Sequence, residues 1–281
     1  MGLILPAYAK LNLTLDVTGQ RPNGYHEIDS VMQTVSLHDL VSVERTECRV
    51  FEVVGTPISG ENLVLKAARE LEAHAGHALP FTIRLFKRIP MGAGLGGGSA
   101  DAAAFLKAAI HLYGLHVAPD ELTAIATAVG QDVPFFLRGG TARARGLGST
   151  VNALPPFPPS WRFLIVCPPI EVATRTVYEA VDGAAPSEHR TPALAAQLTR
   201  LEVTDGALFG NDLEATARRL FPALEAAIAP LTPAVPGLRM SGTGAAFFAT
   251  FSTQRAATDA LAHASGAGAR AWICRPVPAW Q

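Results

Sequence analysis

The chain has 281 residues, 49 % of them hydrophobic and 17 % charged, which is apolar material enough for two cores. Its formal net charge of −1 excludes the basic excess of a nonspecific nucleic-acid binder, though not a local basic pocket for a small anion. No apolar run approaches the roughly 18 residues of a membrane span. Cys48, Cys167 and Cys274 are scattered and lack metal-ligand spacing, so a cytoplasmic protein with reduced thiols is expected.

Leu3 to Leu15 reads as a strand whose apolar character is broken by Lys10 and Asn12, without the layout of a signal peptide. Strands follow at Ser30 to Leu37 and Asp39 to Glu44. Glu61-Asn-Leu-Val64 opens a helix to about His74 with Asn62 as its cap. Phe81 to Phe86 is a strand, Ser99 to Tyr113 and Pro119 to Val129 are helices, and Gln131 to Leu137 is a buried turn leading to a hairpin at Arg138-Gly-Gly140. The stretch Leu154-Pro-Pro-Phe-Pro-Pro-Ser160 marks a boundary, because proline continues neither helix nor sheet.

Beyond it, Arg162 to Cys167 is a buried strand, Asp182 to Thr191 a polar loop, and Pro192 to Arg200 and Asn211 to Leu220 are helices. Met240 to Ala245 is a glycine turn, Ala246 to Phe251 a strand, Gln254 to Ala264 a helix and Ala269 to Arg275 the last strand. Elements mix without strict βαβ alternation, which predicts an α+β fold in each half.

The run Pro90, Met91, Gly92, Ala93, Gly94, Leu95, Gly96, Gly97, Gly98, Ser99, Ala100 is the most telling segment. Its glycines permit close approach by a ligand, and a helix follows at once with Ser99 placed as N-cap. Loose N–H groups at the positive end of a helix dipole make a phosphate receptor. A plain turn would not need so many glycines, given their ordering entropy. The Walker lysine is missing after Gly98. Gly92, Gly94 and Gly97 match dinucleotide-fingerprint spacing, but Lys87 to Met91 separates them from the strand and no second parallel strand follows, so an oxidoreductase reading is the weaker one.

Three segments together resemble the galactokinase, homoserine, mevalonate and phosphomevalonate (GHMP) kinase group: Pro6 to Leu13, Pro90 to Ala104, and Met240 to Ala245. Gly19 to His26, Gly130 to Phe136 and Asn211 to Glu214 resemble its branch that phosphorylates a cytidine-diphosphate sugar alcohol. The resemblance implies an α+β kinase with an ATP-binding domain over 1–153, a ferredoxin-like sandwich over 160–281, and an active site in the cleft between them. It also implies ATP with Mg²⁺ carried on the nucleotide, a monomer or homodimer, and no nucleic-acid or membrane partner.

By the same resemblance Asp132 is the general base and Lys10 its partner, with Asn12 hydrogen-bonding substrate or lysine. The residues leave alternatives: a turn aspartate held by backbone amides, or a snorkelling edge-strand lysine. A lysine amid apolar strand residues does need a partner or ligand, because an unpaired buried ammonium is costly. Tyr25 and His26 would hold cytosine by stacking and edge hydrogen bonds, with Tyr178 as a second aromatic; Tyr178 reads equally as core. Gly242, Thr243 and Gly244 would wall the substrate diphosphate. Ser99 would assist phosphates or Mg²⁺, and Asp101 would complement the helix dipole. Asn23, Thr243 and Arg145 depart from the pattern, which usually has aspartate, serine and an acidic residue there; the Arg145 charge reversal has no account in the sequence. A sibling kinase, or a binding module without catalysis, would lack use for Tyr25-His26 or Asp132 respectively.

Overall fold

The computed structural model describes residues 2–54, 61–181, 187–266 and 268–280. Strands β1 (Gly2–Asn12), β2 (Thr14–Gln20), β3 (His26–Arg45) and β4 (Val50–Val54) precede α1 (Leu63–Ala75), β5 (Phe81–Phe86), α2 (Gly97–Tyr113), α3 (Pro119–Val129) and α4 (Val133–Arg138). The chain continues through β6 (Thr141–Gly146), β7 (Thr150–Ala153), β8 (Arg162–Cys167), α5 (Thr174–Val181), α6 (Arg190–Arg200), β9 (Gly210–Asn211), α7 (Glu214–Leu220) and α8 (Pro222–Ile228). It ends with β10 (Arg239–Met240), β11 (Phe247–Phe251), α9 (Gln254–Gly266) and β12 (Arg270–Cys274). This is the expected α+β class.

Packing separates two units: Met1–Ala9, Leu37–Met91 and Gly96–Arg138 form one, and Lys10–Ser36, Gly92–Leu95 and Gly139–Gln281 the other. The division does not fall at Leu154–Ser160, whose prolines carry the chain from β7 to β8 inside the second unit. In the first unit β4 lies parallel to β5, and β5 antiparallel to the later half of β3, from Leu40 opposite Phe86 to Arg45 opposite Phe81. Helix α2 is alanine-rich and buried at Ala100, Ala102, Ala103, Ala104, Ala108 and Ala109, so it can be enclosed nearly all round. Phe105 on α2 meets Phe81 on β5 edge to face, with ring centroids 5.2 Å apart.

In the second unit the first half of β3 pairs with β2 on one side and β6 on the other. A separate antiparallel sheet runs in the order β10-β11-β8-β12. Leu164, Val166 and Phe247 from that sheet join Val177, Ala217, Leu224 and Ile228 from the helices, and Leu213 just before α7, in one core.

Several elements differ from the sequence reading for identifiable reasons. The first strand is broken at Leu13, whose N–H goes to the Val31 carbonyl (2.8 Å). β3 is one strand of 20 residues and not two, running unbroken through His38 and the buried Asp39, which accepts backbone N–H groups. β4 and α5 were not anticipated. Gln131 to Leu137 is not a plain turn: α4 starts at Val133, with Pro134 tolerated in its first turn. The hairpin lies between β6 and β7, where Gly146 and Gly148 take φ of 70° and 106°, and not at Arg138 to Gly140. Of the expected loop Asp182 to Thr191, residues 182–186 lie outside the described ones, while Arg190 and Thr191 are helical. α7 begins only at Glu214, since Asn211 belongs to β9. No helix among the described residues is long and apolar enough to cross a membrane. All three cysteines are free; Cys48 is exposed, Cys167 and Cys274 are buried, and burial pushes the Cys167 thiol up to about 11.

Lys107 of α2 donates to the Phe136 carbonyl at the C-terminal end of α4 (3.0 Å), one of the acceptors a helix leaves over there. Burial pushes its ammonium from the ordinary 10.5 down to about 7. Between those two pH values the unfolded chain binds more protons than the folded one, so this residue makes stability rise with pH across that window. Lys107→Met is expected to remove the rise. In urea denaturation the wild type should gain at least about 1 kcal/mol on the variant between pH 6.5 and pH 9, and parallel pH profiles would refute the assignment.

Candidate active site

In the second unit three segments meet at backbone distance. The Lys10 N–H donates to the Leu95 carbonyl (2.9 Å) and the Ala246 N–H to the Ala93 carbonyl (3.1 Å). Ser241 Oγ accepts from the Asn12 N–H and donates to the Gly94 carbonyl, both at 3.2 Å. Gly94 has φ of 74°, and a Cβ there would lie 2.1 Å from the Ser241 carbonyl oxygen. A Cβ on Gly242 would in turn lie 3.1 Å from Gly94 Cα. Only glycine permits that approach.

Lys10 is 5 % exposed and its ammonium donates to Asn12 Oδ1. Asn12 passes the chain on, donating from Nδ2 to Ser30 Oγ (2.8 Å), which donates to the Thr14 carbonyl (2.6 Å). Asn12 is thus oriented by its neighbours, with Oδ1 turned to the lysine. The sequence pointed to Lys10 and Asn12 but gave no notice of Ser30 or Ser241, which are commonplace residue types inside strand and turn patterns.

The glycine turn after β10 is held from below. Asn211 Nδ2 donates to the carbonyls of Met240 (3.0 Å) and Gly242 (2.6 Å), and its Oδ1 accepts the Leu213 N–H (2.9 Å). The Thr243 hydroxyl pairs with that of Thr174 at the start of α5 (2.9 Å). One turn on, Tyr178 stacks on His26, with centroids 5.4 Å apart and planes 28° apart. Tyr178 also packs against the core. Tyr25 is 64 % exposed, next to a buried His26. The departures are local: Asn23 Oδ1 accepts the Tyr25 N–H (3.3 Å) as a turn residue, and Arg145 donates to Asn152 across the β6–β7 hairpin (2.9 Å).

In the first unit α2 starts one residue after Gly96, which takes φ of 71° and offers no side-chain cap. Ser99 is therefore not the N-cap. It stands in the first turn, because the left-handed Gly96 lets the helix begin at Gly97. A Cβ on Gly130 would be 3.9 Å from Ser99 Oγ, which puts the Gly130-Gln131-Asp132 turn beside this helix start. The Val133 N–H closes that turn on the Gly130 carbonyl (3.1 Å), leaving the half-buried Asp132 at the head of α4.

Asp101 is not a dipole-complementing surface residue. It is buried on α2, and Lys87 donates to its Oδ2 (2.6 Å) and to Asp39. Burial pushes the Asp101 carboxyl up to about 7, with Lys87 opposing and Asp39 adding to the rise. Burial also works against the Lys87 ammonium, but the Asp101 and Asp39 carboxylates outweigh it and hold its pKa above the ordinary value. Asp101 Oδ1 has no hydrogen-bond partner among the described residues.

The model of the GHMP kinases N terminal domain matches residues 62–140. The 4-diphosphocytidyl-2-C-methyl-D-erythritol kinase of Carboxydothermus hydrogenoformans is 40 % identical over 254 residues, covering 88 % of each chain. The enzyme of the same name from Aromatoleum aromaticum is 39 % identical over 97 % of this chain and 92 % of its own. A crystal structure of 4-(cytidine 5'-diphospho)-2C-methyl-D-erythritol kinase superposes with a TM-score of 0.81 at 36 % identity, over 98 % of this chain and 99 % of the other. Homoserine kinase from Cytophaga hutchinsonii shares the fold, with a TM-score of 0.72 at 19 % identity over 100 % of this chain and 96 % of its own.

The Gly94 contact makes a sharp contrast with Gly92, where a Cβ meets nothing within 4 Å. Gly94→Ala must push two backbones apart and bear a left-handed alanine, about 3 kcal/mol together. Gly92→Ala bears only the second cost, about 1 kcal/mol. Thermal unfolding should show Gly94→Ala lower by roughly 6–12 °C and Gly92→Ala by a third of that. Equal losses would mean the close approach is absent.

Proposed function

The chain belongs to the 4-diphosphocytidyl-2-C-methyl-D-erythritol kinases, and we propose that it moves the γ-phosphoryl group of ATP to the 2-hydroxyl of that cytidine-diphosphate sugar alcohol. ADP leaves, and the phosphorylated product feeds the non-mevalonate route to isoprenoid precursors. The observation that carries the reading is the meeting of Lys10–Asn12, Ala93–Leu95 and Ser241–Ala246, which brings the three motifs of the kinase resemblance to one place. Phosphoryl transfer passes through a loose transition state, so placement and charge matter more than covalent help.

In this proposal the Gly92–Ala100 segment, with Pro90 and Met91 leading into it, cradles the triphosphate with backbone N–H groups and the α2 dipole. Asp132 accepts the proton of the 2-hydroxyl as its oxygen bonds to the γ-phosphorus and the bond to the β-phosphate oxygen breaks. Lys10, steered by Asn12, offsets the negative charge gathered around the transferred group. Tyr25 and Tyr178 supply aromatic faces for cytosine, and His26 hydrogen-bonds its edge. Gly242, Thr243 and Gly244 line the substrate diphosphate.

Among the described residues no group of three or more His, Cys, Asp or Glu side chains could hold a metal ion. Mg²⁺ is proposed to ride on the triphosphate with a mostly water shell and the Ser99 hydroxyl as a candidate donor. We place the enzyme in the cytoplasm, as a monomer or homodimer with small-molecule partners and no nucleic acid or membrane. A coupled ADP-release assay comparing the cytidine-diphosphate sugar alcohol with homoserine and mevalonate tests the reading; turnover of either of the latter in preference would overturn it.

Asp132→Asn is expected to lower kcat about 100-fold or more, the scale of general-base catalysis, with ATP affinity kept within a few-fold. Unchanged turnover would remove the general-base role. Tyr25→Ala is expected to raise the acceptor KM about tenfold, from a stacking loss of roughly 1–3 kcal/mol, and to leave the ATP KM near wild type. A rise in the ATP KM of the same size would place the base elsewhere.

A further inference from the structure

Lys87 is 5 % exposed at its side chain, and its two carboxylate partners, Asp39 and Asp101, are 0 % and 2 % exposed. Ion clusters so deep in a protein are poor devices for stability, because desolvation consumes much of the attraction. Their connections show another use. Asp39 Oδ1 accepts the N–H groups of Arg88 and Ile89 (2.9 Å for the latter), so Lys87, Arg88 and Ile89 are all tied to β3 just before the glycine run begins. The far end of the run returns to the same place. A Cβ on Gly97, the first residue of α2, would lie 3.0 Å from Ile89 Cγ2 and 3.5 Å from Asp39 Oδ2, and Asp101 is one turn further along.

Between these anchors Gly92, Gly94 and Gly96 all take positive φ, so the segment has unusual freedom to lose on ordering. Joining its entrance and exit through one cluster removes part of that freedom before any nucleotide arrives. We propose that Asp39, Lys87 and Asp101 are positioning residues that hold the two ends of the ATP loop and thereby set nucleotide affinity. This rests on the ATP-loop reading above and extends it to residues that touch neither ATP nor acceptor.

The test uses Asp101→Ala, which leaves a neutral Lys87–Asp39 pair, beside Asp101→Asn, which keeps an acceptor for Lys87. Asp101→Ala is expected to raise the ATP KM about tenfold, with kcat within threefold and the acceptor KM within twofold of wild type. Asp101→Asn should restore the ATP KM to within threefold. Lys87→Arg, which keeps the charge but alters the reach, should raise the ATP KM several-fold if Asp101→Ala proves insoluble. Direct titration with trinitrophenyl-ATP reads the same affinity without any acceptor. An Asp101→Ala protein with a lowered Tm but unchanged nucleotide affinity, or with both KM values raised alike, overturns the positioning role. A wild type that fails to bind trinitrophenyl-ATP overturns the ATP-loop reading instead.

Discussion

Where the backbones of Gly94 and Ser241 meet there is no room for a side chain, and much of the second unit is arranged around that fact. Segments far apart in the sequence supply the two strands of the contact, and Ser241 fastens both of them and Asn12 through a single hydroxyl. Asn211 supports the turn on its other side with two donated hydrogen bonds. A buried polar backbone is costly unless its groups are paired, and here the pairing is what forces three motifs to one point. The chemistry proposed for Lys10 is a consequence of that packing, since a buried ammonium needs an oriented acceptor and Asn12 is held in place to be one.

Each unit buries a lysine that is held by named partners. The Lys10 ammonium donates to Asn12, whose own amide is linked on through Ser30 to the Thr14 carbonyl. Around Lys87 stand two carboxylates, one more negative charge than the lysine can balance, and burial, with Asp39 adding to it, raises the pKa of Asp101. A lysine enclosed by two carboxylates is already committed, which suits a role in holding structure.

Legibility in the sequence followed the kind of force involved. Elements set by local rules were readable: Asn62 caps α1 by accepting the Val64 N–H (2.8 Å), and the proline-led α3 and the apolar β5 and β8 stand where pattern placed them. The glycine run and the Lys10–Asn12 pair were visible as chemistry because those residue types are out of place in apolar surroundings. What failed was whatever tertiary contacts decide. Asp39 stood only as the start of a strand, because its backbone partners lie far along the chain at Arg88 and Ile89. Ser99 looked like a cap because nothing local shows that Gly96 would take a left-handed conformation and start the helix early. Asp101 read as a complement to the helix dipole because its partner Lys87 precedes the loop instead of standing a helical turn away.

The three thiols differ in a way that gives the molecule a built-in chemical handle. Cys48 lies in the exposed turn between β3 and β4, whereas Cys167 is buried and, with its thiol up near 11, stays protonated at neutral pH; Cys274 is buried as well. Because the thiolate is the reactive form, a maleimide dye added to the folded protein would attach at Cys48 and spare the other two. A single fluorophore could then be placed on the first unit without engineering any residue out.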